Sequence, residues 1–209
     1  KERIAKILLE TKAISLDVKT PYEFASGILS PIYVDNRLLM AYPSHWREVI
    51  DSMVNVIDQI GLKNVDIIAG TSTAGIPHAA YLAQRLDLPM VYVKSRIDEY
   101  GRFTRIEGHL ERNDRALVIE DTISTGQSSI SSVRALREAE GLVQHCLAIF
   151  TYTLKESEDT FKKEKVRLTA LTDLNTVLDV AVAENYIGSE EREIIMEWVK
   201  EPRMWAKGV

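Results

Sequence analysis

The strongest constraint on the fold is an alternation of two kinds of segment along the chain. Short apolar runs are followed by longer segments in which apolar residues recur every three or four positions. The short runs predict strands, and the longer segments predict amphipathic helices. Five strands are predicted, at residues 65–69, 90–93, 116–119, 143–150 and 166–171. Strands that alternate with helices favour an α/β fold, with a mainly parallel, doubly wound sheet flanked by helices.

Helices are expected on either side of these strands. They are predicted from the first residues to about Leu9 and at residues 44–60, 76–86, 128–140, about 174–184 and 189–200. Gly141 suits the end of the helix at 128–140, and Ser189 suits the N-cap of the last helix. Residues 30–35 combine β-formers with a proline, which suits an edge strand. The polar residues 94–109 show no period and predict a long functional loop.

The composition excludes several classes of protein. The chain has 209 residues, 45% hydrophobic and 27% charged, and no linker rich in Pro, Gly or Ser, which predicts one globular domain over residues 1–209. The net charge of −5 argues against a dedicated nucleic-acid-binding protein. No apolar run approaches the roughly 20 residues that a membrane helix needs. Cys146 is the only cysteine, which rules out an intrachain disulfide and fits a cytoplasmic protein.

Residues 117–128, with the sequence LVIEDTISTGQS, carry the strongest functional signal. Glu120 and Asp121 end a buried strand, a turn rich in hydroxyl groups follows, and a helix then begins. The N–H groups of a helix N-terminus can surround a phosphate together with such hydroxyls, and Gly126 lets the backbone approach it closely. The two carboxylates suit hydroxyl donors or a magnesium-bound water. A ligand with a 5′-phosphate and a free ribose diol matches both the hydroxyl-rich turn and the acid pair. The simpler alternative is that the two acids only cap the turn and the helix.

Other phosphate-binding and catalytic motifs do not fit the sequence. Gly70 and Gly75 have the spacing of a Walker A loop, but Ile76 and Pro77 stand where lysine and serine or threonine are required. No G-x-G-x-x-G follows a first strand, and no G-x-S-x-G supports a hydrolase. The four histidines show no metal-ligand spacing and are interpreted as structural.

The segment at 117–128 resembles the phosphoribosyl pyrophosphate (PRPP) motif of type I phosphoribosyltransferases. Further segments resemble the orotate phosphoribosyltransferases of this family. Residues 24–37 are similar to their hood segment, residues 70–77 to their pyrophosphate-binding loop and residues 95–108 to their flexible catalytic loop. Residues 149–152 match the sequence of one branch of these enzymes. The resemblance implies the type I fold, with a five-stranded, largely parallel core sheet. A small N-terminal hood would comprise residues from about 1 to 40 and the C-terminal helices. The resemblance also implies a homodimer whose flexible loop is shared between subunits.

The same resemblance implies that the phosphoribosyl group of PRPP is transferred to orotate, giving orotidine 5′-monophosphate and pyrophosphate in de novo pyrimidine biosynthesis. Magnesium would be the cofactor, held mainly through PRPP and without a dedicated protein site. The catalytic residues would be Glu120, Asp121 and Lys94. The same three residues would bind PRPP, together with Thr71, Ser72, Thr73, Ala74, Gly75, Thr122, Ile123, Ser124, Thr125, Gly126, Gln127 and Ser128. The orotate-binding residues would be Ser124, Ser26, Gly27 and Tyr33.

The chain departs from the family in the flexible loop. There the family carries an arginine, a lysine four residues on and a histidine two further, and these positions are Lys94, Asp98 and Tyr100 here. Arg96 or Arg102 can compensate through a shifted loop path. Three hypotheses stay open: an active orotate phosphoribosyltransferase, a paralogue that uses another base, and a non-catalytic regulatory protein that binds PRPP or a nucleotide. Asp98 and Tyr100 are the residues that favour the last two.

Overall fold

The computed structural model describes residues 1–23, 29–61, 65–95 and 105–201. Six residues with predicted roles lie outside the described residues: Ser26, Gly27, Arg96, Asp98, Tyr100 and Arg102. The chain divides into two compact units. One comprises Lys1–Pro43 and Thr172–Val209, and the other comprises Ser44–Leu171. The segments predicted to form the hood fall in the first unit.

Helices alternate with strands through most of the larger unit, as an α/β chain requires. The helices are α1 (Glu2–Glu10), α2 (Pro43–Ile60), α3 (Gly75–Leu86), α4 (Gln127–Glu138), α5 (Lys155–Lys163), α6 (Leu174–Ala183) and α7 (Ser189–Lys200), and a 3₁₀ helix covers Asn36–Ala41. The strands are β1 (Ile14–Leu16), β2 (Tyr22–Glu23), β3 (Leu29–Ser30), β4 (Ile32–Val34), β5 (Ile67–Thr71), β6 (Met90–Val93), β7 (Ile106–Glu107), β8 (Arg115–Ile123), β9 (Leu142–Thr151) and β10 (Arg167–Asp173).

A six-stranded sheet in the order β10-β9-β8-β5-β6-β7 is the centre of the fold. β5 runs parallel to both β6 and β8, and β8 runs parallel to β9. The predicted α/β fold with a mainly parallel sheet is therefore confirmed. The sheet has one strand more than the resemblance implies, because β7 pairs antiparallel with β6 inside the segment that was predicted to be a loop.

The packing of α4 on the sheet fixes the position of the segment at 117–128. Ile130, Val133 and Leu136 recur along one side of α4 and share a buried cluster with Val118 and Ala148 of the sheet. Burying each large aliphatic side chain of this kind stabilises the fold by roughly 1.5–3 kcal/mol. Because β8 and α4 are held against each other in this way, the turn between them has a fixed geometry.

Two helices of the larger unit are joined by a buried polar contact. Trp46 of α2 donates a hydrogen bond of 2.9 Å from its indole Nε1 to Nδ1 of His78 on α3. Burial lowers the pKa of His78 to about 4, so this imidazole is neutral at physiological pH. The contact supports the structural interpretation of His78.

Several boundaries differ from those predicted. β8 continues to Ile123, so Thr122 and Ile123 belong to the strand and not to the turn. α5 was not predicted, because only Ser157 and Phe161 of its nine residues are buried and the helix has no apolar stripe. The N-cap of α7 is Gly188 and not Ser189, since Glu191 Oε2 accepts a hydrogen bond of 2.8 Å from the Gly188 N–H.

The smaller unit consists of short strands and helices. β1 pairs antiparallel with β4, and β2 pairs antiparallel with β3, so the edge strand predicted at 30–35 is divided at Pro31 between two small sheets. α1 packs on α6, and Trp198 of α7 donates a hydrogen bond of 2.9 Å to the Leu29 carbonyl. None of the helices in the described part of the chain combines the length and apolar character that crossing a membrane requires.

Candidate active site

Three of the predicted binding segments meet at one edge of the sheet. Because β5, β6 and β8 are parallel neighbours, their carboxyl ends lie side by side. The Ser72 N–H, just after β5, donates a hydrogen bond of 3.0 Å to the carbonyl of Val93, the last residue of β6. In doubly wound sheets ligands bind at this edge, where the strand order changes direction. The structure thus brings together the segments that follow the central strands.

Glu120 lies near the end of β8 with only 4% of its surface exposed. Its Oε2 accepts hydrogen bonds from Ser128 Oγ at 3.2 Å and from Ser129 Oγ at 3.0 Å, and its Oε1 accepts one from the Asp121 N–H at 3.3 Å. Burial raises the pKa of Glu120, and the neighbouring charge of Asp121 raises it further. The carboxylate is therefore held by the first turn of α4, and Ser129 is a residue of the site that the sequence did not reveal.

Asp121, the next residue, is half-buried, and its carboxyl group interacts with that of Glu120. Its Oδ2 accepts a hydrogen bond of 3.2 Å from Thr122 Oγ1. Burial raises the pKa of this carboxyl group as well. Two adjacent carboxylates with raised pKa values at the end of a central strand are typical of a functional site.

The turn between β8 and α4 has the features of a phosphate cradle. Ser124, Gln127 and Ser128 are exposed, whereas the side chain of Ile123 is buried in the core. By helix geometry the first N–H groups of α4 have no partner within the helix, and the helix dipole adds partial positive charge there. An anion can therefore be bound by backbone N–H groups and hydroxyls together. Ile123 can contribute only through its backbone.

Gly126 is the residue on which the shape of this turn depends. Its φ of +79° lies in the left-handed region, and it caps α4. A Cβ at this position would lie 2.7 Å from Cε2 of Phe161. Phe161 belongs to α5, so this helix packs against the turn at Gly126 even though its sequence shows no apolar stripe. Only glycine satisfies both conditions.

The loop from Thr71 to Gly75 forms the neighbouring part of the edge and leads into α3. Thr71 is buried, and its Oγ1 has no hydrogen-bond partner within the described residues. The peptide bond between Ser72 and Thr73 is cis. A Cβ on Gly75 would lie 2.6 Å from the Ile119 carbonyl oxygen, so the start of α3 approaches β8 as closely as a glycine allows. The loop is thereby held beside the two carboxylates.

Lys94 follows β6 directly and is held by two residues that had no predicted role. Its Nζ donates a hydrogen bond of 2.7 Å to Glu107 Oε1, and only 17% of its side chain is exposed. Its N–H donates to the Arg105 carbonyl at 2.8 Å, and its own carbonyl accepts from Arg105 Nε at 2.8 Å. The predicted anion-binding lysine thus lies next to the loop that begins at Thr71. Its ammonium is paired with a carboxylate.

Tyr33 belongs to β4 in the other compact unit. The residue is 40% exposed, and the centroid of its ring lies 5.5 Å from that of Tyr22. Its predicted contact with orotate stays a prediction, as do the roles of the residues outside the described part of the chain.

Comparison with known proteins gives the family. The model described as "Phosphoribosyl transferase domain" matches residues 40–182. The chain is also 44% identical to the orotate phosphoribosyltransferase of Coxiella burnetii over 202 residues, which cover 97% of this chain and 96% of that protein. The chain belongs to the phosphoribosyltransferase family.

Solved structures of phosphoribosyltransferases have the same architecture. The orotate phosphoribosyltransferase from Aeropyrum pernix is 27% identical with a TM-score of 0.76, and the match covers 88% of this chain and 99% of that one. The UMP synthase of Leishmania donovani, at 24% identity, matches with a TM-score of 0.81 over 96% of this chain and 42% of that chain. The type I phosphoribosyltransferase fold expected from the resemblance is thus confirmed.

Proposed function

We propose that this phosphoribosyltransferase transfers the phosphoribosyl group of PRPP to orotate, giving orotidine 5′-monophosphate and pyrophosphate in pyrimidine biosynthesis. The observation that carries the proposal is one strand–turn–helix unit in which the carboxylates of Glu120 and Asp121 lie directly before an exposed phosphate cradle. The choice of orotate as the base is supported by the 44% identity to an orotate phosphoribosyltransferase across nearly the whole of both chains.

The reaction is a displacement at the anomeric carbon of the ribose. The bond from this carbon to a pyrophosphate oxygen breaks, a bond to a ring nitrogen of orotate forms, and the proton of that nitrogen passes to the released pyrophosphate or to water. Positive charge develops on the ribose in the transition state. Asp121 and Glu120 would accept hydrogen bonds from the ribose hydroxyls, and their negative charges would stabilise that positive charge. The protein contributes alignment and electrostatics, and it forms no covalent bond with the substrate.

The 5′-phosphate and the pyrophosphate of PRPP would be bound at the two neighbouring helix N-termini. The 5′-phosphate would lie at the segment from Thr122 to Ser128, and the pyrophosphate would lie at the loop from Thr71 to Gly75, where α3 begins. Lys94 would add a positive charge beside the leaving pyrophosphate. Negative charge on the leaving group increases as the bond breaks, so a cation at this position lowers the barrier.

Magnesium is part of this proposal. Across the described ranges no group of three or more His, Cys, Asp or Glu side chains comes together to hold a metal ion. The groups at the sheet edge are hydroxyl and carboxylate oxygens, which suit a hard cation that reaches the site already bound to phosphates. Magnesium would be held mainly through PRPP and would neutralise the charge of the leaving group. The homodimer with a shared loop and the cytoplasmic location belong to the proposal through the family resemblance.

A non-catalytic protein that binds PRPP is the second candidate. Asp98 and Tyr100 replace the lysine and histidine of the family's loop, and Glu107 pairs with the lysine nearest the pyrophosphate loop. A paralogue that uses another base is the remaining alternative.

Pyrophosphate release separates these candidates. The purified protein is incubated with PRPP, magnesium and one of four bases, namely orotate, uracil, adenine or hypoxanthine. Release with orotate alone is expected. Release with a different base would replace the proposal by the paralogue. PRPP binding by calorimetry without release for any base would replace it by the regulatory protein.

A further inference from the structure

Arg105 connects three parts of the sheet edge. Its Nε donates a hydrogen bond of 2.8 Å to the Lys94 carbonyl, and its Nη1 donates to Ser131 of α4, at 2.9 Å to Oγ and 3.3 Å to the carbonyl. Its own carbonyl accepts the Lys94 N–H at 2.8 Å. Arg105 therefore binds both the N–H and the carbonyl group of Lys94. Its guanidinium is also anchored on α4, the helix that begins at the phosphate cradle.

The pairing of β5 with β6 also fixes the position of Lys94 relative to the pyrophosphate loop. Thr71 pairs with Val93 in the register of β5 and β6, and the Ser72 N–H donates to the Val93 carbonyl at 3.0 Å. Lys94 is the next residue along the chain. Its ammonium binds Glu107 Oε1 at 2.7 Å. The contact with Glu107 directs the side chain, and the pyrophosphate group would be a further partner of the same ammonium.

We propose that Arg105 is a positioning residue, which holds Lys94 at the pyrophosphate loop by tying the Lys94 carbonyl to α4 through Ser131. This inference rests on the proposed function, because it takes the ligand at Lys94 to be the pyrophosphate group. In this role Arg105 acts on the ligand through Lys94, because its guanidinium binds the Lys94 carbonyl and Ser131. A planar guanidinium with a fixed fork of donors suits this task, since it can bind the carbonyl and the serine at once.

The inference predicts that Arg105 acts on ligand binding only through Lys94. Isothermal titration calorimetry with inorganic pyrophosphate and magnesium measures this directly and needs no turnover. Arg105→Gln and Lys94→Ala should each weaken pyrophosphate binding about tenfold, the loss of one charge-assisted hydrogen bond. The double variant should bind within about twofold of Lys94→Ala alone, because once the lysine is absent its position no longer matters.

Two further variants control for charge and for folding. Arg134→Gln removes an arginine from α4, the helix that carries Ser131. The Arg134 guanidinium binds Glu164 on the exposed surface, and this variant should bind pyrophosphate as the wild type does. Ser131→Ala removes only the hydroxyl anchor and should weaken binding about two- to threefold, a partial loss because the Ser131 carbonyl still accepts from Arg105. This milder variant carries the test if Arg105→Gln does not fold.

The outcomes are distinguishable. If the losses of pyrophosphate affinity multiply in the double variant, the two residues act independently, and the inference is overturned while the proposed function stays intact. Wild-type affinity in both Arg105→Gln and Ser131→Ala has the same consequence. A loss in Arg134→Gln equal to that in Arg105→Gln also overturns it, since the effect would then be one of net charge. Absence of pyrophosphate binding in the wild type overturns the proposed function and the inference with it.

Discussion

Ser129 Oγ lies 3.0 Å from Glu120 Oε2 and donates a hydrogen bond to this buried carboxylate. The contact joins the end of β8 to the first turn of α4. It therefore fixes the relation between the acid pair and the phosphate cradle that follows it.

Replacement of Ser129 by alanine should destabilise the protein. The variant leaves a buried carboxylate with one donor fewer, which should lower the free energy of unfolding by about 1.5–3 kcal/mol, as measured by urea denaturation. Ser132→Ala is the matched control, because Ser132 is also buried on α4 but, among the described residues, its hydroxyl donates to the Ser128 carbonyl at 3.2 Å and to no carboxylate. Equal losses in the two variants would contradict the account of Glu120.

Glu120 should make stability fall as the pH rises. Burial and the charge of Asp121 raise the pKa of Glu120 in the folded protein, so the unfolded chain ionises first when the pH increases. Stability is therefore greatest below the ordinary pKa of a glutamate and falls as the pH rises through the folded value. Glu120→Gln removes this buried charge and should be more stable than the wild type at pH 8 by roughly 1–3 kcal/mol, with the difference vanishing near pH 5. Urea denaturation at both pH values measures it, and a difference that does not change with pH would contradict the assignment.

Gly126 should not tolerate a side chain. Alanine at this position meets both the positive φ and the ring of Phe161, so Gly126→Ala should lose about 2–3 kcal/mol of stability and should bind PRPP more weakly. Gly188→Ala is the control, because it also changes a helix N-cap, but its φ is −85° and a Cβ there would meet only Glu191 Oε2 at 3.7 Å. Calorimetric melting and PRPP titration compare the two. Unchanged PRPP affinity in Gly126→Ala would exclude the turn as the phosphate cradle.

Thr71 should be needed for binding and not for stability. Its buried hydroxyl has no hydrogen-bond partner within the described residues, so Thr71→Val should leave the free energy of unfolding unchanged or raise it by up to about 1–2 kcal/mol. If the hydroxyl faces the pyrophosphate, the affinity for pyrophosphate should fall by about tenfold. A clear loss of stability with unchanged affinity would mean that Thr71 serves the fold.

The apolar pattern of the sequence predicted the fold well because the sheet is buried. Residues 90–93 were predicted as a strand with the bounds that β6 has. The prediction for β8 ended too early, since it followed apolar residues, whereas the backbone pairing with β9 continues through Thr122 and Ile123. α5 could not be predicted from periodicity, because it is mostly polar and Phe161, which packs against Gly126, is its only large buried side chain among the described residues.

The site was predictable where one segment carries several of its residues. Glu120, Asp121 and the turn that follows them are contiguous, so their sequence alone indicated a phosphate and a diol. Ser129 and the residues that hold Lys94 were not predictable in this way. Arg105 and Glu107 meet Lys94 only because β7 turns back along β6, and that pairing leaves no periodic signal in a two-residue strand.

The loss of orotate absorbance in a mixture of the purified protein, orotate, PRPP and magnesium tests the proposed chemistry most directly. Steady turnover is expected, and Asp121→Asn should lower kcat/KM by about a hundredfold or more, since on the proposed function it removes a charge that would face the ribose in the transition state. Asp159→Asn, an exposed change on α5, should match the wild type. No consumption of orotate by a folded wild type that binds PRPP would contradict the proposal, and so would equal rates in the wild type and Asp121→Asn.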